Sequence, residues 1–190
     1  MADERPDGVD SVADGAVDDV AVVTVQLGRA PRSSLEVVAR CHLGLPVVIA
    51  VPPHLDDGTP FPTRYWLTCP LAVRRVSRIE SRGGVREAEE RLAADPVAAS
   101  RFDRATTRYA EERDALVAPE APYRPTGGVG GSRRGVKCLH AHYADHVAGN
   151  DNPVGEAVAA EVEPLDCRQP CVTVIDGEVV HNPRWREPKR

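Results

Sequence analysis

Aromatic side chains are what this chain has least of: two Phe, two Trp and four Tyr among 190 residues. Large rings cannot dominate its interior, so Val, Ala and Leu must fill the core. Long apolar runs are missing as well. No stretch approaches the roughly 18 apolar residues of a membrane span, and no basic segment followed by an apolar run marks a secretory leader. Cysteine is present, but its five copies are an odd set scattered from Cys41 to Cys171. That spacing fits free thiols or metal ligands better than a disulfide framework. Together these absences predict a cytoplasmic protein without membrane association.

What is there is ordinary in bulk and uneven in place. Hydrophobic residues at 42% and charged residues at 28% suit a globular protein. A chain of 190 residues is long enough for one domain with a sizeable core. The formal charge of −5 does not describe that domain. Residues 1–19 carry seven acids (Asp3, Glu4, Asp7, Asp10, Asp14, Asp18 and Asp19) against Arg5 alone, which leaves the remainder at about +1. Without a basic face nucleic-acid binding is not expected, although Arg64-Tyr65-Trp66 would suit base stacking.

Along the chain, residues 1–18 read as a disordered acidic tail, 19–182 as a single domain and 183–190 as a C-terminal tail. The segment from Asp18 to Gly28 has strand-like β-branched content, but its apolar residues run continuously between an Asp start and a Gly stop, which favours a short helix. Leu35–Arg40, Val47–Val51 and Tyr65–Cys69 read as strands, closed by Pro52-Pro53 and Pro70. Helices dominate from there. Val73, Val76 and Ile79 recur at helical spacing up to Gly83-Gly84, and Val85, Ala88 and Leu92 continue the pattern. Asp95-Pro96 caps a helix that runs to about Val117, with a charged, solvated face that includes Arg108 and Arg113. Residues 118–135 hold three prolines and five glycines and form a loop. A helix over Cys138–Ala148 follows, then one from Asn152-Pro153 to Val162, then a hairpin turning at Asp176-Gly177. The fold class expected is α+β, mostly helical, with one small sheet made from the early strands and the C-terminal hairpin.

Reactive chemistry concentrates in Gly135–His146, which holds a thiol, three imidazoles and a carboxylate. At about 100° per residue, Cys138, His142 and Asp145 share one helical face, with His146 at its edge and His140 opposite. Thiolate, imidazole and carboxylate are the donors zinc prefers. Other segments must complete such a site. Cys69 and Cys171, both at strand ends, are the natural donors, with Cys41 and Cys167 weaker. The bland alternative is a set of small buried thiols and a polar helix face. No Glu lies beside the histidines in the H-E-x-x-H manner, so a closed structural site is favoured over a catalytic one.

Gly127–Gly135 leads into the start of that helix. Arg133, Arg134 and Lys137, with the helix N-terminal N–H groups, form a candidate anion site. The same surroundings would lower the Cys138 pKa. The spacing matches neither a phosphate-binding Walker loop nor a dinucleotide fingerprint, so a flexible linker is the competing reading.

Three motifs in order, Phe61-Pro62-Thr63-Arg64-Tyr65-Trp66-Leu67-Thr68-Cys69-Pro70, Gly135-Val136-Lys137-Cys138-Leu139-His140-Ala141-His142 and Asp151-Asn152-Pro153-Val154-Gly155, resemble the bacterial family called domain of unknown function five hundred and one. The resemblance spans roughly residues 19–175. It implies an actinobacterial setting beside genes for a septum-formation initiator and an exopolyphosphatase, and hence a protein partner in the division machinery. It carries no activity. Two departures stand out: Asp145 replaces a second family histidine, and Leu43 replaces the second cysteine of an Arg-Cys-x-Cys-Gly turn that keeps Cys41. The family pattern favours Cys138 with His140, whereas helical angles favour Cys138 with His142 and Asp145. These agree only if the helix starts after Cys138. The expectation is therefore a zinc-binding protein with ligands among Cys69, Cys138, His140, His142 and Cys171, of structural or partner-binding role. The alternative is a thiolate- or metal-dependent enzyme acting on a phosphorylated or otherwise anionic substrate.

Overall fold

A computed structural model of the chain describes residues 18–189. The expected acidic tail therefore lies, except for Asp18, outside the described residues. The first helix, α1 (Asp19–Leu27), begins where the Asp18 carboxylate accepts the Val20 N–H and ends at Gly28, whose φ of 69° is left-handed. Its apolar residues do not confine themselves to one stripe because they serve two neighbours. Val22 packs with Leu45, Cys171 and Val172, while Val23 packs with Ile49 and Val51.

Strands β1 (Glu36–Arg40), β2 (Pro46–Ala50) and β3 (Tyr65–Leu67) form an antiparallel sheet with β2 in the middle. The register sets Glu36 opposite Ala50 and Val48 opposite Leu67. All of β2 is buried, which explains its unbroken apolar run. From β3 the chain enters α2 (Pro70–Ser81) through Cys69 as N-cap, then α3 (Gly84–Ala94) and α4 (Pro96–Asp114). Asp95 caps α4 as its sequence predicts, accepting the Val97 and Ala98 N–H groups. After a single 3-10 turn at Val129–Gly131 come α5 (Leu139–Val147) and α6 (Pro153–Val162).

The hairpin of β4 (Val172–Ile175) and β5 (Glu178–His181) turns at Asp176 and Gly177, with φ of 53° and 80°. Both values are positive, as a type I′ turn requires. The α+β class holds, but the single sheet does not: the hairpin is a separate two-stranded sheet packed on α1, not an extension of β1–β3.

The main core joins β2 and the β3–α2 junction to α5 and α6 through Val48, Leu67, Leu71, Val76, Leu139, Tyr143 and Val158. Helices α5 and α6 meet so closely at Gly155 that a Cβ there would stand 2.2 Å from the His142 carbonyl oxygen. Two arginines of α4, expected on a solvated face, turn inwards. Arg113 is 1% exposed and donates to the Gly127 carbonyl at 2.5 Å, tying down the glycine loop. Arg108 donates to the buried Asp145 at 2.6 Å. Helical periodicity shows which residues share a face, but not which faces a neighbour covers. In the C-terminal tail Trp185 packs against the core and Glu187 pairs with Arg78.

Candidate functional site

The start of α5 decides how the reactive segment is arranged. Cys138 has φ −156° and ψ 148°, so it is extended and stands as the N-cap, and the helix begins at Leu139. The thiol therefore leaves the His142–Asp145 stripe. The amides of His140 and Ala141 point at its sulfur without closing a full capping hydrogen bond.

Cys138 and His140 open onto a cavity of about 690 Å³. Its walls come from the end of α1 with Arg29, from Phe61–Thr68, from Val73 and Arg74 of α2, and from Gly130 and Lys137–Ala141. Two of the three family-like motifs thus form one surface. Tyr109 fixes its far wall: the phenol oxygen accepts the Arg64 N–H at 2.6 Å, just before β3. Three cations, Arg29, Arg74 and Lys137, line the cavity together with Phe61, Tyr65 and Trp66, and no Asp or Glu does. The Arg29 guanidinium sits 5.0 Å from the centre of the Trp66 ring, a cation–π contact that holds it against the aromatic wall. Among the described residues neither Arg29 nor Lys137 has a carboxylate partner. A second cavity, along α2, is different. There Glu161 and Glu187 already pair with Arg82 and Arg78.

His140 lines the 690 Å³ cavity with both ring nitrogens engaged. Nδ1 lies 3.1 Å from Glu80 Oε1, and Nε2 lies 3.2 Å from Ser77 Oγ and 3.3 Å from the Val73 carbonyl. Glu80 also accepts the Leu139 N–H at 2.5 Å, so the chain's own carboxylate fills the helix N-terminus expected to hold an outside anion. Arg133 and Arg134 are exposed and stand outside the cavity, where only Lys137 of the expected anion-binding trio takes part. Burial pushes the Cys138 thiol up, which reverses the lowering expected from the helix start and the nearby bases.

His142 is elsewhere. It is 1% exposed, stacked on Phe102 at 5.5 Å, with Nδ1 near the Asn152 amide at 3.1 Å. Burial lowers its pKa to about 4, so the ring is neutral. Asn152 caps α6 by accepting the Gly155 N–H at 3.0 Å, and it donates to Asp145 at 2.8 Å. The third motif is therefore a scaffold behind the cavity. Cys69 and Cys171 lie in yet another place, on a closed cavity of about 10 Å³ with Cys41 and Cys167. The five expected ligands are thus divided among three locations. Among the described residues, no group of three or more His, Cys, Asp or Glu side chains is arranged to hold a metal ion. Cys138 with His140 is the one expected pair that shares the large cavity. Arg29 and Arg74 were invisible as site residues, because nothing local distinguishes them from the other arginines.

Fold and site together define an α+β domain with one large basic, aromatic-walled cavity at the start of a central helix. Residues 37–160, about two thirds of the chain, match the family described as "Protein of unknown function (DUF501)", and the chain belongs to that family. Nothing among curated proteins or solved structures is significantly similar to it. Among the described residues no helix is long and apolar enough to cross a membrane.

Proposed function

We propose that the protein binds a small anionic molecule with an aromatic or other apolar part in the cavity between α1, β3, α2 and the start of α5. One observation carries this reading: Arg29, Arg74 and Lys137 line the cavity beside Phe61 and Trp66, no Asp or Glu lines it with them, and of the three only Arg74 has a carboxylate within 4.0 Å, that of Glu187. An anion gains from cations that no carboxylate of the lining neutralises, and the rings supply the apolar contact that orients it.

The reading is tested by following Trp66 fluorescence in a Trp185→Phe background. Phenyl phosphate is the probe, with phenol and inorganic phosphate as comparators. Phenyl phosphate should give a saturable change at lower concentration than either comparator. Arg29→Ala should weaken it at least about tenfold, the effect of losing one charge-assisted contact worth roughly 1.5 kcal/mol. No saturation with phenyl phosphate, or a response unchanged by Arg29→Ala, overturns the proposal.

An enzymatic role for Cys138 is a second reading, favoured by the thiol lying in the same cavity as the His140–Glu80 pair. Binding is preferred because burial already disfavours the Cys138 thiolate. An anionic ligand alongside would disfavour it further.

A further inference from the structure

Four of the five cysteines meet on the far side of the β3–α2 junction from the large cavity. Cys41 starts the tight turn after β1, where its N–H donates to the Leu45 carbonyl at 2.9 Å. Cys69 is the N-cap of α2. Cys167 follows a segment held by buried Arg75, which donates to the carbonyls of Val162 at 2.8 Å and Pro164 at 2.6 Å. Cys171 immediately precedes β4. All four line the same closed cavity of about 10 Å³, whose other walls are mostly apolar. A space of that size holds one water or one ion and nothing larger.

The polar groups around these sulfurs are donors. The Trp185 indole N–H donates to Cys167 Sγ at 3.4 Å. Gln26 directs its amide nitrogen at Cys171 Sγ, 3.6 Å away, and donates from the same nitrogen to the Pro46 carbonyl at 2.9 Å. The Pro46 bond fixes which way the amide faces, and the Gln26 carbonyl oxygen is left buried without a partner. The same orientation keeps an N–H directed at sulfur. Donors aimed at sulfur stabilise a thiolate, and N–H groups of this kind surround metal-bound cysteines.

We infer that Cys41, Cys69, Cys167 and Cys171 form a four-thiolate site for zinc. Zinc takes four cysteines in closed structural sites, and each thiol releases its proton to solvent as it ligates. The sulfurs do not stand as a finished shell in this structure. Since all four residues already line the cavity, a zinc ion entering it would meet a thiol from each. The ion would join the β1–β2 turn, the β3–α2 junction and the C-terminal segment. Cys138 has no part in it.

The experiment uses the full chain, purified reduced and stripped with a chelator. Cobalt(II) is added as a spectroscopic probe and then zinc as competitor. About one cobalt per chain should give the strong visible bands of a tetrahedral thiolate site, and zinc should displace them. Cys138→Ser should keep these bands and Cys167→Ser should lose or weaken them. Should Cys167→Ser fail to fold, alkylation of the wild-type chain read by mass spectrometry decides. Zinc should protect Cys41, Cys69, Cys167 and Cys171 and leave Cys138 reactive. The inference is overturned by no cobalt bands, by bands that depend on Cys138, by protection confined to Cys138, or by the four cysteines being found as two disulfides in chain isolated without reductant. None of these outcomes bears on phenyl phosphate binding in the other cavity.

Discussion

Two cysteines in this molecule occupy the same local position and live in opposite surroundings. Cys69 and Cys138 are both N-caps, of α2 and α5, both with non-helical backbone angles, and neither closes a capping hydrogen bond with its side chain. Burial raises both thiols, Cys69 to about 12. The difference lies in what each faces. Cys138 looks into a cavity of about 690 Å³ walled by cations and rings, and Cys69 into one of about 10 Å³ walled by leucines, prolines and three more thiols. Pro70 and Gln26 border both spaces, so a single layer of side chains separates an open, ligand-sized face from a closed, ion-sized one. A shared local motif therefore says little about role; enclosure decides it.

The largest expected contrast comes from trimming one side chain on each face. Leu71 is fully buried and lines the closed cavity, while Val73, two residues on, is half-buried on the open one. Leu71→Ala should cost about 4 kcal/mol, since it removes buried methyls and leaves a void the walls cannot refill. Val73→Ala should cost about 1 kcal/mol or less, because water already reaches that wall. Urea denaturation of both variants measures the gap. Equal losses would mean that the open cavity is closed in solution and would dissolve the comparison.

Acid titration sharpens the same contrast on the histidines of α5. His140 stands at the open rim, and His142 is buried as a neutral ring. The His142 pKa is lowered to about 4, from 6.5 in the unfolded chain. Below pH 6.5 the unfolded state takes a proton that the native state refuses. Stability therefore falls as the pH drops from about 6.5 to 4, by about 3 kcal/mol in total. Asp145 works against this at the acid end, because burial raises its carboxyl and the native state accepts that proton more readily. His142→Gln should flatten the slope between pH 6.5 and 4 in chemical denaturation series. A slope unchanged by the substitution would assign the acid sensitivity to other groups.

Much of the local architecture was legible because it is encoded by neighbours in sequence. Asp18 and Gly28 bound α1, Asp95-Pro96 opens α4, and Asp176-Gly177 makes the hairpin turn, each through contacts spanning a few residues. Of the residues expected around the start of α5, Lys137, Cys138 and His140 line the cavity. What failed depends on ring closure over long separations. Cys41 and Cys167 meet across 126 positions, and no periodicity signals such a meeting. Arg29 and Arg74 reach the cavity from α1 and α2, whereas Arg133 and Arg134, adjacent to the thiol in sequence, stay outside. Helical angles grouped Cys138 with His142, because they assume a helix that in fact starts one residue later.

Replacing either capping thiol by serine should have opposite effects. At Cys138 a hydroxyl reaches water and is a better N-cap than a thiol, so Cys138→Ser should raise stability by about 0.5 kcal/mol. At Cys69 the same hydroxyl enters an apolar cavity, and the loss should exceed the gain from capping by about 1 kcal/mol. Melting curves of both variants in chelator, which remove any contribution from bound zinc, read the two signs. The same sign in both would show that capping, not enclosure, governs these positions.

The finest test is kinetic. Alkylation by iodoacetamide needs the thiolate, so its rate follows the deprotonated fraction. Burial raises the Cys138 pKa, so in the folded chain its rate should reach half its plateau above pH 8.5, the midpoint of an ordinary free cysteine. Phenyl phosphate in the cavity should move that midpoint higher still, because a second negative charge beside the sulfur disfavours ionisation, and added salt should partly reverse the shift by screening. Cys69, enclosed, should stay unmodified on this timescale until the chain opens. A Cys138 midpoint at or below pH 8.5 would show that Lys137 and the α5 amides outweigh burial. The large cavity would then hold a nucleophile rather than a neutral contact, and the enzymatic reading would gain at the expense of simple binding.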